Sequence, residues 1–239
     1  MIISFIGFMG CGKSSVGRRL SELLCCPFMD LDQVIEEREG RTIPEIFSQD
    51  GEPAFRQMEL NALKHVVSEG RSKTKSLPRL RRGPLPFTRP RAAMVFDTPL
   101  TDHQHPTTTL QKGNNCTRHC EDMEEKWEDA LVVALGGGAV MTPECAEIVH
   151  SETKCIYLHA SIDTLMEHLE GQTANRPLLN TPHYHSERAQ LVEESVLRNR
   201  INDLMAKRSS TYEKTAHVII DIDGKSIEAV ASEIASTLQ

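Results

Sequence analysis

The sequence predicts an α/β fold in which helices sandwich a mainly parallel sheet. Three observations carry this expectation. Five short runs rich in Val, Ile, Leu or Phe are spread along the chain, helical patterns stand between them, and a glycine-rich turn joins the first run to the first helix. Short continuous apolar runs suit strands buried on both faces of a parallel sheet. The helices between them supply the crossovers that parallel neighbours require.

Taken in order, the first run is Ile2–Ile6, which passes directly into Gly7. A helix over 14–24 then repeats apolar residues at Val16, Leu20 and Leu23/Leu24. The second run, 27–30, leads into Asp30-Leu31-Asp32. Phe55, Met58, Leu63 and Val66/Val67 mark a helix over 52–67. The third run, 131–135, ends at three glycines, and the fourth, 155–158, precedes a helix over 161–169 with Ser161 at its N-cap. A long charged helix over Glu187–Thr215, a fifth run over 217–221 and a helix over 226–238 close the chain.

One segment breaks the alternation. Residues 71–125 sustain neither period and hold six of the twelve prolines. From Arg71 to Lys112 there are nine Lys or Arg against two Asp. Such a stretch buries too little apolar surface to offset its ordering entropy, so it is expected to be a poorly ordered insertion in a single domain spanning 1–239. Three readings of it stay open: a loop without function, non-coding sequence carried into the chain, or a partner site. His103, His105, Cys116, His119 and Cys120 lie in it, but their spacing matches no closed zinc site.

Composition narrows the function classes. The chain has 239 residues and 39% hydrophobic content, enough for one full core. No apolar run approaches the about 18 residues of a membrane-spanning helix. The N-terminus MIISFIGFMG has neither a basic leader nor a cleavage site, so a cytoplasmic protein is expected. Seven scattered cysteines argue against a disulfide framework. A formal net charge of −7 argues against nucleic acid as a partner.

The strongest motif is Gly7-Phe8-Met9-Gly10-Cys11-Gly12-Lys13-Ser14, which fits G-x-x-x-x-G-K-[ST] without a mismatch between a strand and a helix. Such a loop turns successive N–H groups toward phosphate oxygens, and the helix start adds its positive dipole end. Lys13 would reach the β- and γ-phosphates of a nucleoside triphosphate, and the Ser14 hydroxyl would ligate Mg²⁺.

The other signals are weaker alone. Asp30 and Asp32, read as alternate strand residues on one face, could serve a metal and a substrate hydroxyl, or Asp30 could simply cap a helix. Arg56 and Glu59 share a helix face and alone read best as a surface salt bridge; Arg56 could also grip a ligand carboxylate. Gly136, Gly137 and Gly138 expose backbone for close approach of a ligand, or form a plain turn. Arg176 sits in a polar stretch, 171–185, suited to a mobile lid. Arg208 could face the site or solvent.

In this order, a P-loop, D-x-D, F-R-x-x-E, G-G-G, R-P-L-L and R-x-x-x-Y, the sequence resembles the shikimate kinases. The resemblance runs from Ile2 to about residue 70 and from about Trp127 to the C-terminus. It implies a three-layer α/β/α P-loop kinase with a five-stranded parallel sheet in the order 2-3-1-4-5. It implies an enzyme that moves the γ-phosphate of ATP, with Mg²⁺, onto the 3-hydroxyl of shikimate, on the route to chorismate and the aromatic amino acids.

The resemblance also implies roles. Gly7, Met9, Gly10, Cys11, Gly12, Lys13, Ser14 and Ser15 would bind ATP, joined by Arg176 from the lid. Ser14 and Asp30 would serve the metal. Asp32, Arg56, Glu59, Gly136, Gly137, Gly138 and Arg208 would hold the substrate, with Lys13, Asp32 and Arg176 acting in catalysis. Leu169-Glu170 stands where the family often carries a basic residue, so no adenine contact is assigned. The implied protein is a monomer acting on small molecules, with no nucleic acid or membrane partner. Two alternatives remain: a kinase for another polyhydroxy acid such as gluconate, or a nucleotide-binding regulatory module without transfer activity.

Overall fold

A computed structural model describes residues 1–73, 127, 129–169 and 187–238. Most of the expected insertion and all of the expected lid, Arg176 included, lie outside the described residues. At the insertion's start, residues 71–73 continue a helix instead.

The strands are β1 (Ile2–Ile6), β2 (Phe28–Asp30), β3 (Leu131–Ala134), β4 (Lys154–His159) and β5 (Val218–Asp221). All pair in parallel, in the order β2-β3-β1-β4-β5. The helices are α1 (Lys13–Leu23), α2 (Leu31–Glu39), α3 (Ile43–Gln49), α4 (Gly51–Lys73), α5 (Pro143–Glu152), α6 (Ile162–Leu169), α7 (Glu187–Thr215) and α8 (Ile227–Thr237). A 3₁₀ turn, Ala139–Met141, follows the glycine run.

Central β1 shows why the apolar runs are continuous. Its five residues are all buried because both faces are covered. Ile3 and Phe5 join a core with Val16 and Leu20 of α1 and Ile234 of α8. Ile2 and Ile6 join a second core with Leu63 of α4, Val149 of α5 and Tyr212 of α7. Ser4 is the polar exception, and its hydroxyl lies 2.6 Å from that of buried Thr153, which donates to the Val149 carbonyl.

The sequence patterns predict neither α3 nor α5, and α2 only as the helix that Asp30 could cap. Each has a start signal in hindsight. Asp30 caps α2 by accepting from the Asp32 N–H at 3.1 Å. Thr42 and Glu45 form a capping box at α3, and Pro143 occupies the first turn of α5. All three are short and their apolar faces are narrow, so periodicity gives little warning of them. No described helix is long and apolar enough to cross a membrane.

Candidate active site

The site opens where β1 meets α1. Gly10 and Gly12 adopt φ of 85° and 79°, a left-handed backbone that side chains resist. Gly12 is the N-cap of α1 and no side chain caps the helix, so its first N–H groups remain available to an anion. The loop carries its own cation. Buried Lys13 donates to the Gly7 and Phe8 carbonyls, each at 2.9 Å. Two of its three donors are thereby used within the loop.

Above the loop lies a cleft of about 670 Å³, lined by residues Met9 to Val16, Asp30, Asp32, Leu135 and Gly137. Ser14 donates to Asp30 Oδ2 at 2.5 Å. Asp30 thus both caps α2 and faces the loop, so the two sequence readings of this residue coexist. Asp32 stands in the first helical turn, not on the strand, so it is the helix start that brings the two acids together. Asp32 Oδ1 is buried without a hydrogen-bond partner. Burial, and then the neighbouring Asp30 charge, push the Asp32 carboxyl up to about 6 against the pull of Lys13.

The donor set around Ser14 fits Mg²⁺. It is made of hard oxygens only, Ser14 Oγ and the Asp30 carboxylate, beside the unpartnered Asp32 Oδ1. Among the described residues no group of three or more His, Cys, Asp or Glu could hold a metal by itself. That agrees with an ion that takes one or two protein ligands and completes its shell with phosphate and water.

The glycine run reaches the cleft through Gly137. Its residues make room for the site's own side chains. A Cβ on Gly136 would overlap Glu59 Oε1 and lie 2.8 Å from Asp32 Oδ1. One on Gly138 would lie 2.6 Å from the Arg56 Cζ, although its φ of −116° is ordinary. One on Gly137 would sit 3.1 Å from the Met9 nitrogen of the phosphate loop.

Arg56 bonds Glu59 at 2.6 Å and Glu52 at 2.7 Å and 3.2 Å. Glu59 is fully buried, so the pair is not the surface salt bridge that its spacing alone suggests. Burial pushes the Glu59 carboxyl up to about 7, opposed by Arg56 and reinforced by Asp32. Its Oε1 has no hydrogen-bond partner. Arg208 is also buried; it donates to the Gly137 carbonyl at 3.4 Å and lies 5.9 Å from the centre of the Phe8 ring. Neither arginine lines the cleft itself. They meet the glycine run at consecutive residues, Arg208 at Gly137 and Arg56 at Gly138.

A family model described as shikimate kinase matches residues 9–73 and 117–239. The chain belongs to the shikimate kinase family. It is 31% identical over 236 residues to a shikimate kinase of Pseudomonas savastanoi pv. phaseolicola, covering 98% of this chain and 93% of that one. It is 29% identical over 236 residues to a shikimate kinase of Thermus thermophilus, covering 99% and 89%. Its fold is similar to that of a shikimate kinase from Acinetobacter baumannii solved in complex with shikimate, with a TM-score of 0.65, 24% identity and coverage of 99% and 92%. The five-stranded parallel sheet in the order 2-3-1-4-5 is the architecture that the resemblance implied.

The family model passes over 74–116 and resumes at 117, inside the expected insertion. At the other end of the cleft, Ile222, Lys225, Ile227 and Val230 form a wall from the β5–α8 connection and the start of α8. His168 stands opposite and its Nδ1 lies 2.8 Å from the Gly10 carbonyl. No local pattern marked these residues, which reach the phosphate loop only through the parallel sheet. Glu52 and Tyr212 were likewise given no role.

Proposed function

We propose that this shikimate kinase family member transfers the γ-phosphoryl group of ATP to the 3-hydroxyl of shikimate, giving shikimate 3-phosphate for chorismate and aromatic amino acid biosynthesis. The observation that carries the substrate is the convergence of Arg56 and Arg208 on Gly137 and Gly138, beside an unpartnered Asp32 oxygen in the first turn of α2, whose residue shares the cleft with the phosphate loop. Two guanidinium groups suit a carboxylate, and a buried carboxylate suits hydroxyls.

In this reading the loop N–H groups from Met9 to Ser15 cradle the phosphates, and Lys13 turns from the Gly7 and Phe8 carbonyls to the β- and γ-phosphates. Ser14 and Asp30 serve Mg²⁺, which when bound neutralises charge on the phosphates. Asp32 accepts from the substrate hydroxyls and takes the proton as phosphorus–oxygen bonding develops. Glu59 orients Arg56, the two arginines hold the substrate carboxylate, and Arg176 joins from outside the described residues. The apolar wall of Ile222, Ile227 and Val230 takes the adenine. The enzyme acts as a monomer in the cytoplasm, without nucleic acid or membrane, and the net charge of −7 supports the exclusion of nucleic acid.

The test is coupled ADP release with Mg-ATP and shikimate, gluconate or water alone. Turnover only with shikimate is expected; turnover with gluconate instead, or none with ATP still bound, sinks the substrate assignment. Phosphoryl transfer depends on positioning and charge. Lys13→Ala and Arg56→Ala should therefore each lower kcat, by roughly 100-fold or more for Lys13. Unchanged kcat in either variant counts against its role.

A further inference from the structure

The late helix α7 holds a residue that touches the site without lining the cleft. Tyr212 is fully buried, one helical turn after Arg208 and on the same face. Its hydroxyl donates to the Gly137 carbonyl, the same oxygen that Arg208 Nη1 reaches at 3.4 Å. Its ring packs against that of Tyr157, with centroids 5.2 Å apart. One backbone carbonyl at the mouth of the glycine run therefore has two candidate donors, and the tyrosine is the better bonded.

The two donors have different consequences. The Gly137 carbonyl is half-buried, and a carbonyl deprived of its better partner takes up the next donor in reach. Arg208 is in reach, and a guanidinium drawn fully onto a backbone oxygen is turned away from an anion. A Cβ on Gly137 would lie 3.1 Å from the Met9 nitrogen, so the glycine also gives the phosphate loop room.

We infer that Tyr212 is a positioning residue: by satisfying the Gly137 carbonyl it holds the glycine run in place and keeps Arg208 from closing its long 3.4 Å contact there, so that the guanidinium can turn to the substrate carboxylate. The part concerning Arg208 rests on the reading under Proposed function. The part concerning the glycine run does not.

Tyr212→Phe keeps the ring and its packing and removes only the donor. In the unliganded protein, hydrogen–deuterium exchange of the segment 135–141 should quicken by about tenfold, the effect of losing one half-buried hydrogen bond. Unchanged exchange overturns the inference whatever the substrate proves to be. In steady-state assays the KM for shikimate should rise by about five- to tenfold, with kcat and the KM for ATP within about twofold of wild type. An equal rise in both KM values points to general loosening of the site and overturns the role assigned through Arg208. In an Arg208→Lys background the same substitution should add little to the KM for shikimate, because both act on one contact. Additive effects overturn the coupling. If wild type turns over no shikimate, the functional reading fails, and the exchange measurement still decides whether Tyr212 holds the glycine run.

Discussion

The acids of the site are costly to the fold. Glu59 and Asp32 are pushed up to about 7 and about 6, mainly by burial. Ordinary carboxylates titrate near 4, so between about pH 4 and pH 7 the folded state binds more protons than the unfolded one. The share of stability from this pair is therefore fully present at low pH and is lost as pH rises toward 7. Glu59→Gln should flatten this dependence: the difference in thermal midpoint between variant and wild type should move in the variant's favour from pH 5 to pH 8, while activity falls as Arg56 loses its buried partner. A difference that is constant across that range would sink the assignment. Glycine carries a second prediction. Gly136→Ala places a methyl group against Glu59 Oε1 and near Asp32 Oδ1. Glu59 is buried and tied to Arg56, so it cannot yield without moving the arginine. A displacement of this size should lower kcat/KM for shikimate by on the order of 100-fold. ATP affinity, measured by titration calorimetry, should hold.

Helix starts do double duty. Asp30 caps α2 and accepts from Ser14, so one carboxylate serves a helix and the phosphate loop together. The two tasks can be separated. Serine caps nearly as well as aspartate, so Asp30→Ser should keep the thermal midpoint close to wild type, whereas Asp30→Ala should cost about 1 kcal/mol. Both should raise the Mg²⁺ needed for half-maximal activity by about 10- to 100-fold, because both remove the carboxylate beside Ser14. A normal Mg²⁺ requirement in Asp30→Ser would leave Asp30 with the helix alone. The P-loop, by contrast, was fully legible as sequence, because strand, glycines, lysine and serine are contiguous. Helices α3 and α5 were not, because short helices have few periods and their caps resemble ordinary turns, and α2 was legible only through the possible cap at Asp30.

At the scale of the whole molecule, the parallel sheet sets the site apart from the two described chain ends, Lys73 and Trp127, that flank residues 74–126. Strands run in parallel, so the connections leaving their carboxyl ends gather on one edge and those entering their amino ends on the other. Helix α4 carries Arg56 and Glu59 in its first turns and Lys73 at its end, about 21 Å further along at 1.5 Å per residue. Leu131, which opens β3, bonds the Met1 carbonyl at the amino edge. Deleting residues 74–116, which the family model passes over, should leave kcat/KM for shikimate within about threefold of wild type. A larger loss would make the segment part of the enzyme's working parts.

The sequence by itself determined the α/β class, the phosphate loop and the family pattern, because each is written in contiguous residues or in motif order. Tertiary structure decided the rest. Arg56, Gly137 and Arg208 are far apart in the chain and meet only because β3 lies between β1 and β2 while α7 packs across its end. That Glu59 is buried, that the glycines make room for Arg56, Glu59 and Asp32, and that Tyr212 bonds Gly137 all depend on contacts between distant segments. Local patterns specify which elements form. Burial and approach of side chains depend on how those elements pack, and that is a property of the assembled sheet.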